Sequence, residues 1–390
     1  MQALHFGAGN IGRGLIGSIL SQNGFSLTFV DTNEDIIQQI NEDGGYTVEI
    51  LDDEKNQVFI DDVRAFNSLE DEDAIVAAFA EADLVTTSVG ANNLGKIASI
   101  IKKSLLSNAE DSNTITLMAN ENIINATDIL KDNIKKICSK REWAEFERIT
   151  NFLNTTIDRQ SMSRTTEGRN ITMVEPYYEW VIEYKGENHV LRNLNDAVLV
   201  DDLKPYLERK LYIVNAEHAA FAYLGNLLGY KTIQQAGKDP LLLDFIHKYL
   251  HEISYYFIET YGMSPNEIKI YIMKTIKRHT NENLEDPIHR VARDPKRKLN
   301  VKDRLIAPML KLEKMGQDNK MAKTVIAAGY LYRSEKDDEA VHIQNSIEIY
   351  GMTETIHRIS EIPCELAKEI SEISERLNDD PRKYISWIAE

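Results

Sequence analysis

The stretch from Gln2 to Asp31, QALHFGAGNIGRGLIGSILSQNGFSLTFVD, decides the fold. A short apolar run, Gln2–Phe6, leads into the glycine turn Gly7-Ala8-Gly9-Asn10-Ile11-Gly12. Helical spacing of apolar residues follows from about Ile11 to Gln22, and a second apolar run closes at Ser26–Asp31. Strand, GxGxxG turn, helix and strand in this order form a dinucleotide-binding βαβ unit. Gly7 permits the tight turn, Gly9 lets a pyrophosphate approach the backbone, and Gly12 lets helix and strand pack closely. The unpaired N–H groups of the first helical turn then face the phosphates. Arg13 and Gly14 extend the loop, and Arg13 is long enough to reach a phosphate.

Asp31 ends the second strand, 19 residues after Gly12. A carboxylate there takes the ribose hydroxyls of an adenosine and repels a 2′-phosphate. Thr32 and Asn33 follow, with no arginine to rescue that phosphate. The expected cofactor is therefore NAD, held by Gly7, Ala8, Gly9, Asn10, Ile11, Gly12, Arg13, Gly14 and Asp31.

Outward from this unit the alternation continues. Asn33–Asn41 has a helical pattern, and LVTTSVG from Leu84 to Gly90 and Thr114–Ala119 are continuous β-like runs. Glu121–Ile137 is again helical in pattern. The order predicts a parallel sheet covered by helices on both faces. Tyr46–Leu51 and Val58–Phe66 flank the polar turn DDEKN as extra strands. Thr172–Tyr184, rich in aromatic and β-branched residues, predicts one long strand or a strand pair. From about Asp201 onward long helical periods dominate. The reading is α/β: a Rossmann-type parallel-sheet domain over residues 1–190, then a mostly α-helical substrate and catalytic domain over 191–390, with the active site expected in the cleft between them.

Composition narrows the function classes. The chain has 390 residues, a formal net charge of −17 and only two cysteines, Cys138 and Cys364. Two distant cysteines give no disulfide framework and no zinc pattern. The acidic balance argues against nucleic acid or an anionic membrane as partner. No apolar stretch is long enough for a membrane span, and the N-terminus lacks the pattern of a signal peptide. A cytoplasmic location, as monomer or homodimer, is expected. His247 and His251 are spaced i, i+4, but with no HExxH and no third ligand they are read as structural, and no metal is expected.

A second group of polar residues lies on an amphipathic helix from about Leu203 to Leu228. At about 100° per residue, Asn215 and His218 lie roughly 140° and 80° around from Lys210, so the three share one broad face. Lys210 and His218 are about 12 Å apart along the axis. A lysine of lowered pKa can take the hydroxyl proton of a secondary alcohol while hydride leaves carbon. Asn215 and His218 would then hydrogen-bond the reacting oxygen. By spacing alone, the same three read first as the surface lysine and packed histidine of an ordinary helix. Arg290, Arg293, Lys296, Arg297, Lys298, Lys302 and Arg304, opposed only by Asp294 and Asp303, form a local reversal of charge. They suit either a phosphate clamp or a solvated basic face.

Lys210, Asn215 and His218 fit the pattern K-x4-N-x2-H, and with it the chain resembles the polyol-specific long-chain dehydrogenases. The segments GAGNIGRG (Gly7–Gly14), VEPYYEWVIE (Val174–Glu183), VDDLKPYLERKLYIVNAEHA (Val200–Ala219), and RVARDPKRKL with KDRLI (Arg290–Ile306) carry the resemblance over nearly the whole chain. It implies a zinc-independent, NAD-linked interconversion of mannitol 1-phosphate and fructose 6-phosphate, with Lys210 as general acid/base and Asn215 and His218 polarising a small phosphorylated polyol or ketose. Asn120-Glu121-Asn122 resembles the family's Cys-Glu-Asn and points to Asn122 as a substrate residue. NTTIDR (Asn154–Arg159) points in the same way to Asp158 and Arg159; Arg290 is the candidate taken from the basic run, whose sequence does not single out one member for the phosphate. The chain departs from the pattern at Gln160-Ser161 and at Ala216-Glu217, where the family has Thr-Gly; both bear on substrate preference. Another polyol or sugar-acid dehydrogenase of the superfamily, or a non-catalytic NAD-sensing protein, is the alternative reading.

Overall fold

The computed structural model describes every residue except 53, 55, 109–113, 187 and 284. Parts of the DDEKN turn and of the segment joining the two expected domains therefore lie outside the described residues. The chain divides into two compact units, Met1–Tyr206 and Leu207–Glu390.

The first unit is built, among the described residues, on thirteen strands: β1 (Gln2–Phe6), β2 (Ser26–Asp31), β3 (Tyr46–Ile50), β4 (Gln57–Ile60), β5 (Val63–Asn67), β6 (Leu84–Thr87), β7 (Ile115–Ala119), β8 (Thr150–Phe152), β9 (Thr155–Asp158), β10 (Ser161–Thr166), β11 (Arg169–Val174), β12 (Glu179–Glu183) and β13 (Val198–Val200). Six of them form a sheet in the order β5-β2-β1-β6-β7-β8, parallel throughout. Successive side chains of β1 go to opposite faces: Ala3 packs in one buried cluster, Leu4 and Phe6 in another. Burial on both faces is the reason these strands read as continuous apolar runs. The strand order reverses at β1, with β2 on one side and β6 on the other, and this is where a parallel sheet opens its ligand crevice.

The second sheet, β10-β11-β3-β4, and the third, β13-β12-β9, flank this core. The run Thr172–Tyr184 is neither one long strand nor a pair: it resolves into the end of β11 and β12, which belong to different sheets. Val58–Phe66 also splits, β4 ending at Ile60 and β5 joining the edge of the parallel sheet. The helix expected over Glu121–Ile137 begins only at Ala126, because Asn125 adopts a left-handed conformation (φ 54°) that a helix interior excludes. Residues 121–125 are thereby released to serve as a turn at the carboxyl end of β7.

The second unit is helical and has one hydrophobic cluster running from Tyr212 to Ala389. Its longest helix, Pro240–Tyr261, shows why such ends are legible: Asp239 caps it through Leu241 N–H, proline occupies the first turn, and Gly262 (φ 62°) ends it. The helix expected from about Leu203 to Leu228 is present, but as three pieces: α-helical Lys204–Arg209, a π-helical turn Lys210–Asn215, and α-helical Ala216–Leu227. No described helix is long and apolar enough to cross a membrane.

Candidate functional site

The glycine loop leaves β1 at the switch point of the parallel sheet. Gly7 has φ 107°, and a Cβ there would meet the Ser88 carbonyl at 2.5 Å. A Cβ on Gly12 would fall 1.9 Å from the Gly7 carbonyl and 2.9 Å from His5 Nε2, so helix and strand touch at this point. Gly9 differs: nothing lies within 4 Å of its Cβ position. That open space over exposed backbone is what a pyrophosphate needs. The helix starts with a π-helical turn, Gly12–Gly17, a device that recurs at functional sites.

Asp31 is brought to the loop. Its Oδ2 accepts from Ala8 N–H at 2.6 Å, and Oδ1 from Thr32 and Asn33 N–H at 2.7 and 3.0 Å. Arg13 is buried, donating from Nε to the Ala8 carbonyl (2.8 Å) and from Nη2 to Asn170 Oδ1 (2.7 Å), which fastens the loop to β11. Below it, His5 is fully buried between Thr86 Oγ1 and Ser88 Oγ, and burial pushes its pKa down to about 3. A neutral imidazole there supports the loop from beneath. Glu121, buried after β7, accepts from Thr87 Oγ1, Val89 N–H and Gly90 N–H and so shapes the turn after β6. Neither His5 nor Glu121 was singled out from the sequence, because what marks them is a cross-strand partner, which no local pattern reveals.

The substrate candidates of this unit are dispersed. Asn122 is exposed, next to Glu121, and Asp158 is buried at the end of β9. Arg159 donates from Nη1 to the Gly14 carbonyl (2.7 Å) and from Nε to the Glu175 carbonyl (3.1 Å), over the Tyr178 ring. Its observed contacts brace the glycine loop. At the departure Gln160-Ser161, Gln160 N–H donates to Glu175 Oε1 and Ser161 opens the hairpin strand β10.

In the second unit Lys210 and Asn215 are half-buried at the two ends of the π-helical turn, with His218 in the turn that follows. This changes the helical-wheel estimate. A turn closed by i→i+5 bonds holds more residues than an α-turn, so each residue advances by less than about 100°. Asn215 and His218 rotate back toward Lys210, and the three share a narrower stripe than a regular helix would give them.

His218 is held on two sides. Its Nε2 lies 2.7 Å from Asp286 Oδ2, and its ring stacks on His279 with centroids 4.2 Å apart and planes 6° from parallel. Burial, then His279, push its pKa down to about 4 against the pull of Asp286. A neutral His218 that donates from Nε2 to Asp286 offers Nδ1 as an acceptor. Asp286 also takes Arg290, whose Nε and Nη2 donate to Oδ1 at 2.9 and 2.6 Å. His218 and Arg290, 72 positions apart in sequence, are thus joined through one carboxylate. Behind them Glu217, completely buried, is paired through Oε2 with His279 Nδ1.

The rest of the basic run divides. Arg304 Nε pairs with Asp303 at 2.8 Å and Arg297 lies 3.7 Å from it. Lys298 is buried with Nζ on the Arg293 carbonyl, its pKa pushed down to about 7 by burial and by Arg297 and Arg304. Arg290 and Arg293 remain largely exposed and line a cavity of about 840 Å³ with His289, Lys336 and several carboxylates. No cluster of three or more potential metal ligands occurs among the described residues.

A glycine loop at the switch point of a parallel sheet and a lysine-bearing helix in a second, helical unit define a two-unit protein of the Rossmann dehydrogenase type. The chain belongs to the mannitol dehydrogenase family: the model of that family's Rossmann domain matches residues 1–193 and that of its C-terminal domain residues 202–375. Among its relatives, mannitol-1-phosphate 5-dehydrogenase of Bacillus pumilus is 41% identical over 344 residues, covering 88% of this chain and 91% of the relative. The enzyme of the same name from Oceanobacillus iheyensis is 37% identical over 360 residues, covering 92% and 93%. In fold the chain is similar to a D-sorbitol dehydrogenase (TM-score 0.83, 16% identity, 98% and 94% covered). It is also similar to Pseudomonas fluorescens mannitol 2-dehydrogenase, solved with NAD and D-mannitol (TM-score 0.77, 17% identity, 100% and 94% covered).

Proposed function

We infer that this chain is an NAD-dependent dehydrogenase interconverting D-mannitol 1-phosphate and D-fructose 6-phosphate, cytoplasmic and acting as a monomer or homodimer. Likeness over nearly the whole chain to relatives bearing that activity in their names supports the substrate. The single structural observation that carries the reading is the constellation on the Lys210–His218 helix with Arg290 fastened to it through Asp286. Groups suited to an alcohol carbon and a cation suited to a phosphate share one framework there, which supports the reading.

Bound NAD supplies the hydride acceptor. Lys210, in its neutral form, takes the hydroxyl proton in oxidation and returns it in reduction. Asn215 donates its amide N–H to the oxygen as negative charge develops there. His218, neutral and presenting Nδ1, accepts from a substrate hydroxyl and orients the polyol. Arg290, with Nε and Nη2 on Asp286, turns its remaining N–H groups to the phosphate, and Arg293 adds charge at the same cavity. Asn122, Asp158 and Arg159 are the first unit's substrate-side candidates. Asp31 selects NAD.

The test compares mannitol with mannitol 1-phosphate, following NADH absorbance. A charge-assisted contact is worth on the order of 1.5–3 kcal/mol, so the phosphorylated substrate should win in kcat/KM by roughly ten- to a hundredfold or more. Equal kcat/KM for the two would remove the phosphate clamp, and no turnover of any polyol would remove the dehydrogenase reading.

A further inference from the structure

We propose that Glu217 and His279 form a buried positioning pair for His218, Glu217 orienting the His279 ring and that ring covering one face of the His218 imidazole, so that Asp286 meets it at a fixed edge. The observations are geometric. Glu217 and His279 are 0% and 3% exposed. Glu217 Oε2 is bonded to His279 Nδ1, while Oε1 is buried with no hydrogen-bond partner among the described residues. The His279 ring lies 4.2 Å from the His218 ring and nearly parallel to it. Gln234 anchors both sides of the arrangement: Nε2 donates to the His279 carbonyl, and Oε1 accepts from Asp286 N–H.

A carboxyl with one oxygen unsatisfied in the protein interior is expensive for packing alone, and it is cheaper as the neutral acid than as the anion. Burial pushes the Glu217 pKa well above the usual carboxylate range. As an acid, Glu217 donates to His279 Nδ1, which fixes the tautomer and the plane of that ring. The ring in turn keeps water off one face of His218. The titratable groups facing His218 are His279 from the helix Pro265–His279, Asp286 from the segment before the helix Ile288–Ala292, and Glu217 from its own helix. Arg290 acts through Asp286 and Arg278 through Glu217. Asp286 alone would draw a proton onto His218. The covered face opposes this and keeps Nδ1 an acceptor.

The experiment uses the full chain with NAD and mannitol 1-phosphate, and only its kinetic arm rests on His218 being a substrate residue. The acid limb of kcat/KM is measured for wild type, Glu217→Gln, Glu217→Ala and His279→Phe, and the His218 ring nitrogens are titrated directly by NMR. Glu217→Ala loosens His279 and lets water reach His218. The His218 titration and the acid limb should both move up, by about one pH unit or more. Gln, which still donates an N–H to Nδ1, and Phe, which keeps a flat ring on His218, should leave both close to wild type. An unmoved His218 titration in Glu217→Ala would overturn the proposal, as would a Gln variant that behaves like Ala, because charge rather than orientation would then be at work. If the NMR titration moves while the kinetic limb does not, the positioning pair stands and the catalytic reading of His218 falls. Should Glu217→Ala not fold, His279→Ala replaces it with the same expected direction.

Discussion

The carboxylate at the end of β2 has a structural task beside the ribose role proposed for it. Asp31 holds Ala8 N–H, and so the glycine loop. Asp31→Ala should therefore do more than relieve repulsion of a 2′-phosphate. The ratio of kcat/KM for NAD over NADP should narrow, and NADH affinity itself should fall because the loop loses an anchor; equal use of both cofactors by the wild type would refute the assignment. Lys210 is the second residue-scale case. Lys210→Ala should leave NADH binding intact and depress turnover in both directions by about 10²–10⁴-fold, the usual contribution of a positioned acid/base. A surface lysine would cost little, so near-normal kcat in a folded variant excludes Lys210 from the proton step. Both residues stand out in the sequence by spacing from a glycine motif or along a helix. Glu217 was visible only as a departure from the Thr-Gly pattern, because the histidine it meets lies 62 positions away.

At the scale of elements, the loop between β1 and its helix makes opposite demands on two glycines. Gly12 is packed against backbone, so Gly12→Ala must push the helix off the strand, and NADH binding should be lost along with some thermal stability. Gly9 faces open space, so Gly9→Ala should leave the melting temperature nearly unchanged while weakening NADH binding, since its methyl group occupies the room the pyrophosphate needs. Calorimetry and NADH titration on the pair separate the two roles; a Gly9→Ala protein with wild-type affinity would move the phosphates elsewhere. The π-helical turns at Gly12–Gly17 and Lys210–Asn215 are elements the sequence did not announce. Periodicity cannot distinguish i→i+5 bonds from an α-helix over six residues.

For the whole molecule, buried histidines set the response to acid. His5 and His218 have folded pKa values of about 3 and about 4, below the ordinary 6.5. Between these limits the unfolded chain binds more protons than the folded one. The stability they contribute is complete above about pH 6.5 and is lost as the pH falls toward 4 and below, on the order of a few kcal/mol per histidine. The melting temperature should drop from pH 6.5 to 4.5, and His5→Gln, if it folds, should flatten part of that slope; the same slope in wild type and His5→Gln would contradict the burial of His5. Glu217 acts with the opposite sign. Its pKa is raised on folding, so its contribution is present at low pH and lost as the pH rises, and Glu217→Gln should gain stability on the neutral and alkaline side.

The sequence by itself determined the parallel sheet, the glycine loop with Asp31, and the helical second half, because each is written in short-range order: apolar runs bounded by turns, glycines at fixed offsets, periods of about 3.6. It also placed Lys210, Asn215 and His218 on one helix. Tertiary structure decided what these residues meet. Residues separated by tens of positions were joined by folding alone: Asp286 with His218, Glu217 with His279, Arg159 with Gly14, and His5 with Ser88. The physical reason is burial. A polar group inside a protein must find partners wherever packing puts them, and a local pattern carries no information about a partner that arrives from another element.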